Sequence, residues 1–190
     1  MKRTLVFVIA VALMGIALSG GVSAASWTGE FPSASSTVVA SVGHLGGGGM
    51  GYFWSVSRGD MVGETFTGTG LAYVDGLDLI FEVTENVLYP GWAVDWDVKV
   101  NGTPVGGWSW ADADGTGTVN LSFAFAPIAD GGTFTIEMIV VNEVPPGDGS
   151  IALGYGGRAT LRGGVVPEPS SFAALAGGLI PLLILRRRRA

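Results

Sequence analysis

A period-two alternation of apolar and polar residues restricts this chain more than any other feature. Leu77, Leu79, Phe81 and Val83 alternate with Asp78, Ile80, Glu82 and Thr84, and Val94, Trp96, Val98 and Val100 alternate with Asp95, Asp97, Lys99 and Asn101. A third run sets Val119, Leu121, Phe123 and Phe125 against Asn120, Ser122 and Ala124. Successive strand side chains point to opposite faces, so each run predicts a strand that covers a core on one side. Phe134, Ile136, Met138 and Val140 form a fourth run whose other face carries Ile139 and Val141, which predicts a more central strand. Weaker candidates lie at 37–42, 50–57, 105–110, 150–155 and 158–162. Asp75-Gly76, Asn101-Gly102, Asp114-Gly115 and Asp130-Gly131 place a residue that tolerates positive φ beside a glycine, as turns require. No helical period is sustained between the two ends of the chain. About eight to ten short strands without a helix predict an all-β fold, an antiparallel β-sandwich that is jelly-roll-like.

The two ends obey different rules. Lys2 and Arg3 precede an uncharged apolar stretch at 5–18, and Val22-Ser23-Ala24 supplies the small residues that a signal peptidase reads. Cleavage is expected after Ala24, with Ala25 as the alternative, so 1–24 is expected to be a signal peptide. At the other end, Pro167-Glu168-Pro169 is held extended by its prolines. Residues 170–185 then carry no charge and Arg186, Arg187, Arg188 and Arg189 follow. Sixteen residues in a helix would span about 24 Å, less than a hydrocarbon core of about 30 Å, which makes a short transmembrane segment. Positive residues at both ends predict that both stay cytoplasmic while the middle is exported.

The tail resembles that of the PEP-CTERM sorting-domain proteins of bacteria, in which a Pro-Glu-Pro motif, a short apolar span and a basic cluster stand in this order. The resemblance implies recognition and cleavage near Pro167-Glu168-Pro169 by an exosortase, a membrane-embedded cysteine transpeptidase. It implies residence in the inner membrane as a precursor, then at the cell surface or in the extracellular matrix. An ordinary anchor that is never cut is the alternative. The resemblance covers 167–190 and is silent on the body at 25–162; residues 163–166 read as a linker.

Without its tails the chain is strongly acidic. Taking Lys2, Arg3 and the four terminal arginines from 10 basic residues leaves 4, and taking Glu168 from 16 acidic residues leaves 15, a net charge of −11. Nucleic acid and anionic lipid would be repelled, whereas cations, neutral glycans and basic surfaces would not. The chain has no cysteine, so stability must come from a core, and thiol chemistry is excluded.

Catalysis is poorly provisioned. The lone histidine, His44, stands beside a glycine run with no nucleophile motif, and no catalytic residue is assigned. Only a pair of the fifteen acids converging in the fold could support glycoside hydrolysis. Asp112-Ala113-Asp114-Gly115 starts as a calcium loop does, with Asp112 and Asp114 as oxygen ligands, but Phe123 stands where the closing glutamate should be. A plain turn is the other reading. Trp108 and Trp110 share a face with Gly106 and flank a loop, so they could stack on sugar rings or belong to the core. The stretch 97–106 is similar to a hairpin of carbohydrate-binding sandwich modules, a likeness of fold only. Arg58-Gly59-Asp60 reads as a turn. The expectation is therefore a non-enzymatic exported surface or matrix protein; the alternative is a carbohydrate-binding β-sandwich of the exopolysaccharide matrix.

Overall fold

A computed structural model of the protein describes residues 23–39, 57–129, 131–142, 144 and 149–165. His44, the segment 50–56 and the expected sorting signal at 167–190 lie outside these residues, as do residues 1–22 of the expected signal peptide at 1–24. Residues 24–164 form one compact unit. Within the described residues there are ten strands: β1 (Ser23–Glu30), β2 (Thr37–Val39), β3 (Met61–Phe66), β4 (Tyr73–Asn86), β5 (Ala93–Val100), β6 (Thr103–Ala111), β7 (Gly117–Ala129), β8 (Phe134–Val140), β9 (Ile151–Leu153) and β10 (Arg158–Val165). The only helical element among them is a 3-10 turn at Asp112–Asp114. No helix of the described residues is long and apolar enough to cross a membrane, and the expected span at 170–185 is not among them.

The strands make two five-stranded antiparallel sheets. One runs β1-β10-β4-β7, with β9 also pairing β4, and the other runs β2-β3-β8-β5-β6. The alternating runs of the sequence are the inner faces. Val94, Trp96, Val98 and Val100 are each no more than 1% exposed, as are Phe134, Ile136, Met138 and Val140. β8 lies between β3 and β5, which explains why its outer face also carries Ile139: that side chain stands in register with Met61 and Asp97.

Aromatic rings join the sheets. Phe81 of β4 meets Trp108 of β6 edge-on at 5.3 Å, and at the opposite edge Trp27 of β1 packs on Phe66 of β3 at 4.7 Å. Phe123 of β7 packs against Gly106 of β6, where a Cβ would come within 2.2 Å of its ring. Such interdigitation across the inner faces is how a sandwich fills its interior.

Four expectations change. Gly163 and Gly164 are buried in β10, paired with Val74 and Tyr73, so the expected linker at 163–166 is strand as far as Val165. Glycine is needed there because a Cβ on Gly163 would sit 1.9 Å from the Tyr73 carbonyl oxygen. Asp75-Gly76 is a bulge inside β4 and not a turn; Gly76 leaves room for the Arg162 guanidinium, 2.8 Å from where its Cβ would be. β1 and β3 are strands without a clear alternating signal. β3 turns Glu64 inward between Val62 and Phe66, and the carboxylate is accommodated by hydroxyls: Ser33 and Ser36 each donate to Oε2 at 2.7 Å. The turn at Asn101-Gly102 is as expected, with both residues at positive φ.

Candidate ligand-binding end of the sandwich

Connections gather at one end of the sandwich: 87–92 between β4 and β5, 112–116 between β6 and β7, and, of the segment after β8, residues 141–142 and 149–150. Backbone hydrogen bonds tie them together. Trp92 N–H donates to the Tyr89 carbonyl, Asp112 N–H to the Trp92 carbonyl, and Val87 N–H to the Ser150 carbonyl. Asn86 adds a side-chain brace, its amide donating to the carbonyls of Ala111 at 2.8 Å and Gly115 at 3.0 Å while its oxygen accepts from Leu88 N–H. Asn142 does the same on the other side, accepting from Asp95 N–H and donating to the Ala93 carbonyl. Loops held by satisfied backbone and amide groups form a preorganised surface.

This end is rich in aromatic side chains. Tyr89 is 55% exposed, the most exposed large apolar residue described, and the adjacent Pro90 and Gly91 are exposed with it. Trp92 and Trp110 are each half-buried. Trp110 pairs with Val94 across β5 and β6, which makes it a diagonal neighbour of Trp92, and its indole N–H donates to the Gly115 carbonyl at 2.9 Å. Flat rings fixed by short loops are what stacking on the C–H faces of a sugar requires.

The structure separates the two tryptophans that the sequence offered as a sugar platform. Trp108 is 9% exposed, stacked on Trp96 at 5.5 Å with the rings 7° from parallel and capped edge-on by Phe81. It is core. Trp110, 6.3 Å from Trp108, is the outermost ring of the same column and reaches the surface. Tyr89 and Trp92 were not singled out by sequence; an aromatic pair around Pro90-Gly91 was the available signal.

Asp112 and Asp114 occupy the 3-10 turn. The Asp114 carboxylate accepts the Ala111 N–H at 2.7 Å, as in a plain capped turn, and Gly115 takes up positive φ beyond it. Among the described residues no three His, Cys, Asp or Glu side chains come together as a metal group. Asp60 of the Arg58-Gly59-Asp60 turn is buried and accepts the Ser57 N–H, which fixes that tripeptide as a structural turn.

No protein-family model and no curated protein sequence matches the chain. Solved structures with a similar chain path include a family 35 carbohydrate binding module from an environmental isolate, at 14% identity and a TM-score of 0.45, covering 70% of this chain and 91% of that one. Another is the carbohydrate-binding module CBM36 in complex with calcium and xylotriose, at 12% identity and 0.42, covering 71% and 98%. A third is CBM35 from Cellvibrio japonicus Abf62, at 10% identity and 0.41, covering 73% and 94%. At this level of identity no site residue carries over from them.

Proposed function

We propose that this protein is a non-catalytic, exported β-sandwich that binds a neutral polysaccharide at the end formed by Tyr89, Trp92 and Trp110. The observation that carries the reading is the exposed Tyr89 ring beside two half-exposed indoles on braced loops. Charge restricts the ligand: a body with net −11 repels polyanions, so the glycan is an uncharged one. Asp112 and Asp114, on the 3-10 turn beside Trp110, would serve as acceptors for sugar hydroxyls, and calcium bound there would be an additional anchor for those hydroxyls.

Affinity electrophoresis of the body at 25–166 through gels cast with neutral or acidic polysaccharides tests this. Retardation is expected in at least one neutral gel and in no acidic gel, and Tyr89→Ala with Trp92→Ala should remove it while the melting temperature is kept. Retardation unchanged in that double variant would place the site elsewhere.

Delivery belongs to the same proposal. Signal peptidase cleavage after Ala24 and exosortase processing at Pro167-Glu168-Pro169 would release the body to the surface, with the four arginines holding the precursor in the inner membrane until then. β1 begins at Ser23, so cleavage after Ala24 removes only the first two residues of an eight-residue edge strand. Replacing Pro167 and Pro169 by alanine should make precursor accumulate in pulse-labelled membranes; processing at the normal rate would refute the sorting role.

A further inference from the structure

The described chain enters and leaves the body at one pole. Phe31 N–H donates to the Gly157 carbonyl at 2.9 Å, and the hydroxyls of Thr28 and Thr160 share a hydrogen bond of 3.1 Å. These contacts between β1 and β10 share one antiparallel register, which carried to the strand ends sets Ser23 opposite Val165. Gly164 in turn pairs with Tyr73, the first residue of β4, and its carbonyl accepts Ala72 N–H at 2.8 Å. The same pole holds the Asn101-Gly102 turn, where Asn101 N–H donates to the Thr135 carbonyl.

The aromatic end lies at the other pole, because the brace that holds its loops comes from Asn86, the last residue of β4. The 14 residues of β4 separate the two poles by about 40 Å at about 3.3 Å per residue. Charge separates them as well. At or beside the aromatic end Asp60, Glu85, Asp95, Asp112 and Asp114 stand against Arg58, a net of −4, whereas near the pole of the chain ends Asp75 and, by sequence, Asp130 stand against Lys99, a net of −1. An anionic lipid surface repels the first set more strongly than the second. Connectivity and charge thus agree on which end can approach a membrane and which is left for a ligand.

We propose, resting on the glycan and sorting readings above, that the aromatic site works before the chain is released: the membrane-held precursor is itself a polysaccharide receptor, and processing frees a body that already carries its ligand. No chain end obstructs the site, and none of the hydrogen bonds that brace it, from Asn86 and Asn142, involves a residue near either end. Cutting at Pro167-Glu168-Pro169 therefore changes where the site is held and leaves its affinity as it was.

Spheroplasts that hold the full chain unprocessed, through Pro167→Ala with Pro169→Ala, are incubated with fluorescein-labelled hydroxyethyl cellulose, glucomannan and galactan, and the body at 25–166 is titrated with the same three polymers. The precursor is expected to capture whichever polymer the body binds, at the same half-saturating concentration, and to lose capture with Tyr89→Ala plus Trp92→Ala. Binding by the body without capture by the precursor would overturn this inference and leave the glycan reading standing; no binding by either would remove both. The absence of cysteine permits a second arm. Pro90→Cys and Thr67→Cys, at exposed positions on opposite poles, are biotinylated in the held precursor and loaded with streptavidin. Capture, scored against the same variant without streptavidin, should be lost at 90 and kept at 67, and equal loss at both would contradict the separation of the poles. Should either variant fail to fold, the comparison of precursor with body decides alone, since it alters no residue of the body.

Discussion

Trp108 and Tyr89 are both large aromatic residues beside loops, yet one is 9% exposed between two rings and the other 55% exposed on a turn. What separates them is the position of the backbone relative to the sheet. Trp108 lies within a paired strand on the inward parity, opposite Trp96, where the second sheet closes over it. Tyr89 lies beyond the end of β4, where parity no longer aims a side chain at anything. In a sandwich, therefore, interior strand positions spend aromatic area on the core and connections leave it available to a ligand.

The sharpest way to break this contrast is Trp108→Ala. A cavity left between Trp96 and Phe81 should cost about 3 to 5 kcal/mol, a large part of the stability of a small domain. Thermal melting by circular dichroism should show a steep fall or no folded state; a folded variant with unchanged melting temperature would remove Trp108 from the core. Next in size is Asn86→Ala, which strips the brace from the Ala111 and Gly115 carbonyls and should cost about 1 to 3 kcal/mol. Denaturant melts and polysaccharide binding should fall together, because the brace positions the loops as well as stabilising them. Unaltered binding in a destabilised protein would show that the site does not depend on that preorganisation. Smallest in stability is Tyr89→Ala, expected within about 0.5 kcal/mol of the parent, with glycan binding lost by about tenfold or more. A melting temperature that drops as far as that of Asn86→Ala would mean the tyrosine is structural and the contrast false.

Much of the architecture was legible because parity is a local signal. The strands around Leu79, Trp96, Leu121 and Ile136 follow directly from alternation, and the Asn101-Gly102 hairpin follows from turn chemistry. β3 was not legible, since Glu64 faces inward and reads as a break in the pattern; the hydroxyls of Ser33 and Ser36 that make it tolerable come from 28 to 31 residues away. β1 was hidden by small residues that also suit a signal-peptide junction. Gly163 and Gly164 imitated a linker because close backbone approach and chain flexibility call for the same residue. For the site, Trp110 could be named from sequence but not told from Trp108, as the ring that fills the space at Gly106 belongs to Phe123 of the other sheet. Tyr89 carries no periodic signal at all.

The placement of β10 has a consequence for the order of events in the life of the chain. The last strand lies not at an edge but between the first strand and β4, and Thr28 and Thr160, which share a hydrogen bond across β1 and β10, are 132 residues apart in sequence. Contacts of such long range form late and slowly, and here the strand that makes them is the final one to emerge. Until Val165 is available, β1 has no partner among the described strands and β4 lacks one neighbour, so the first sheet cannot close. Pro167 follows two residues later. Under the proposed export, completion of the fold and presentation of Pro167-Glu168-Pro169 would fall at the same moment, a timing written into strand order.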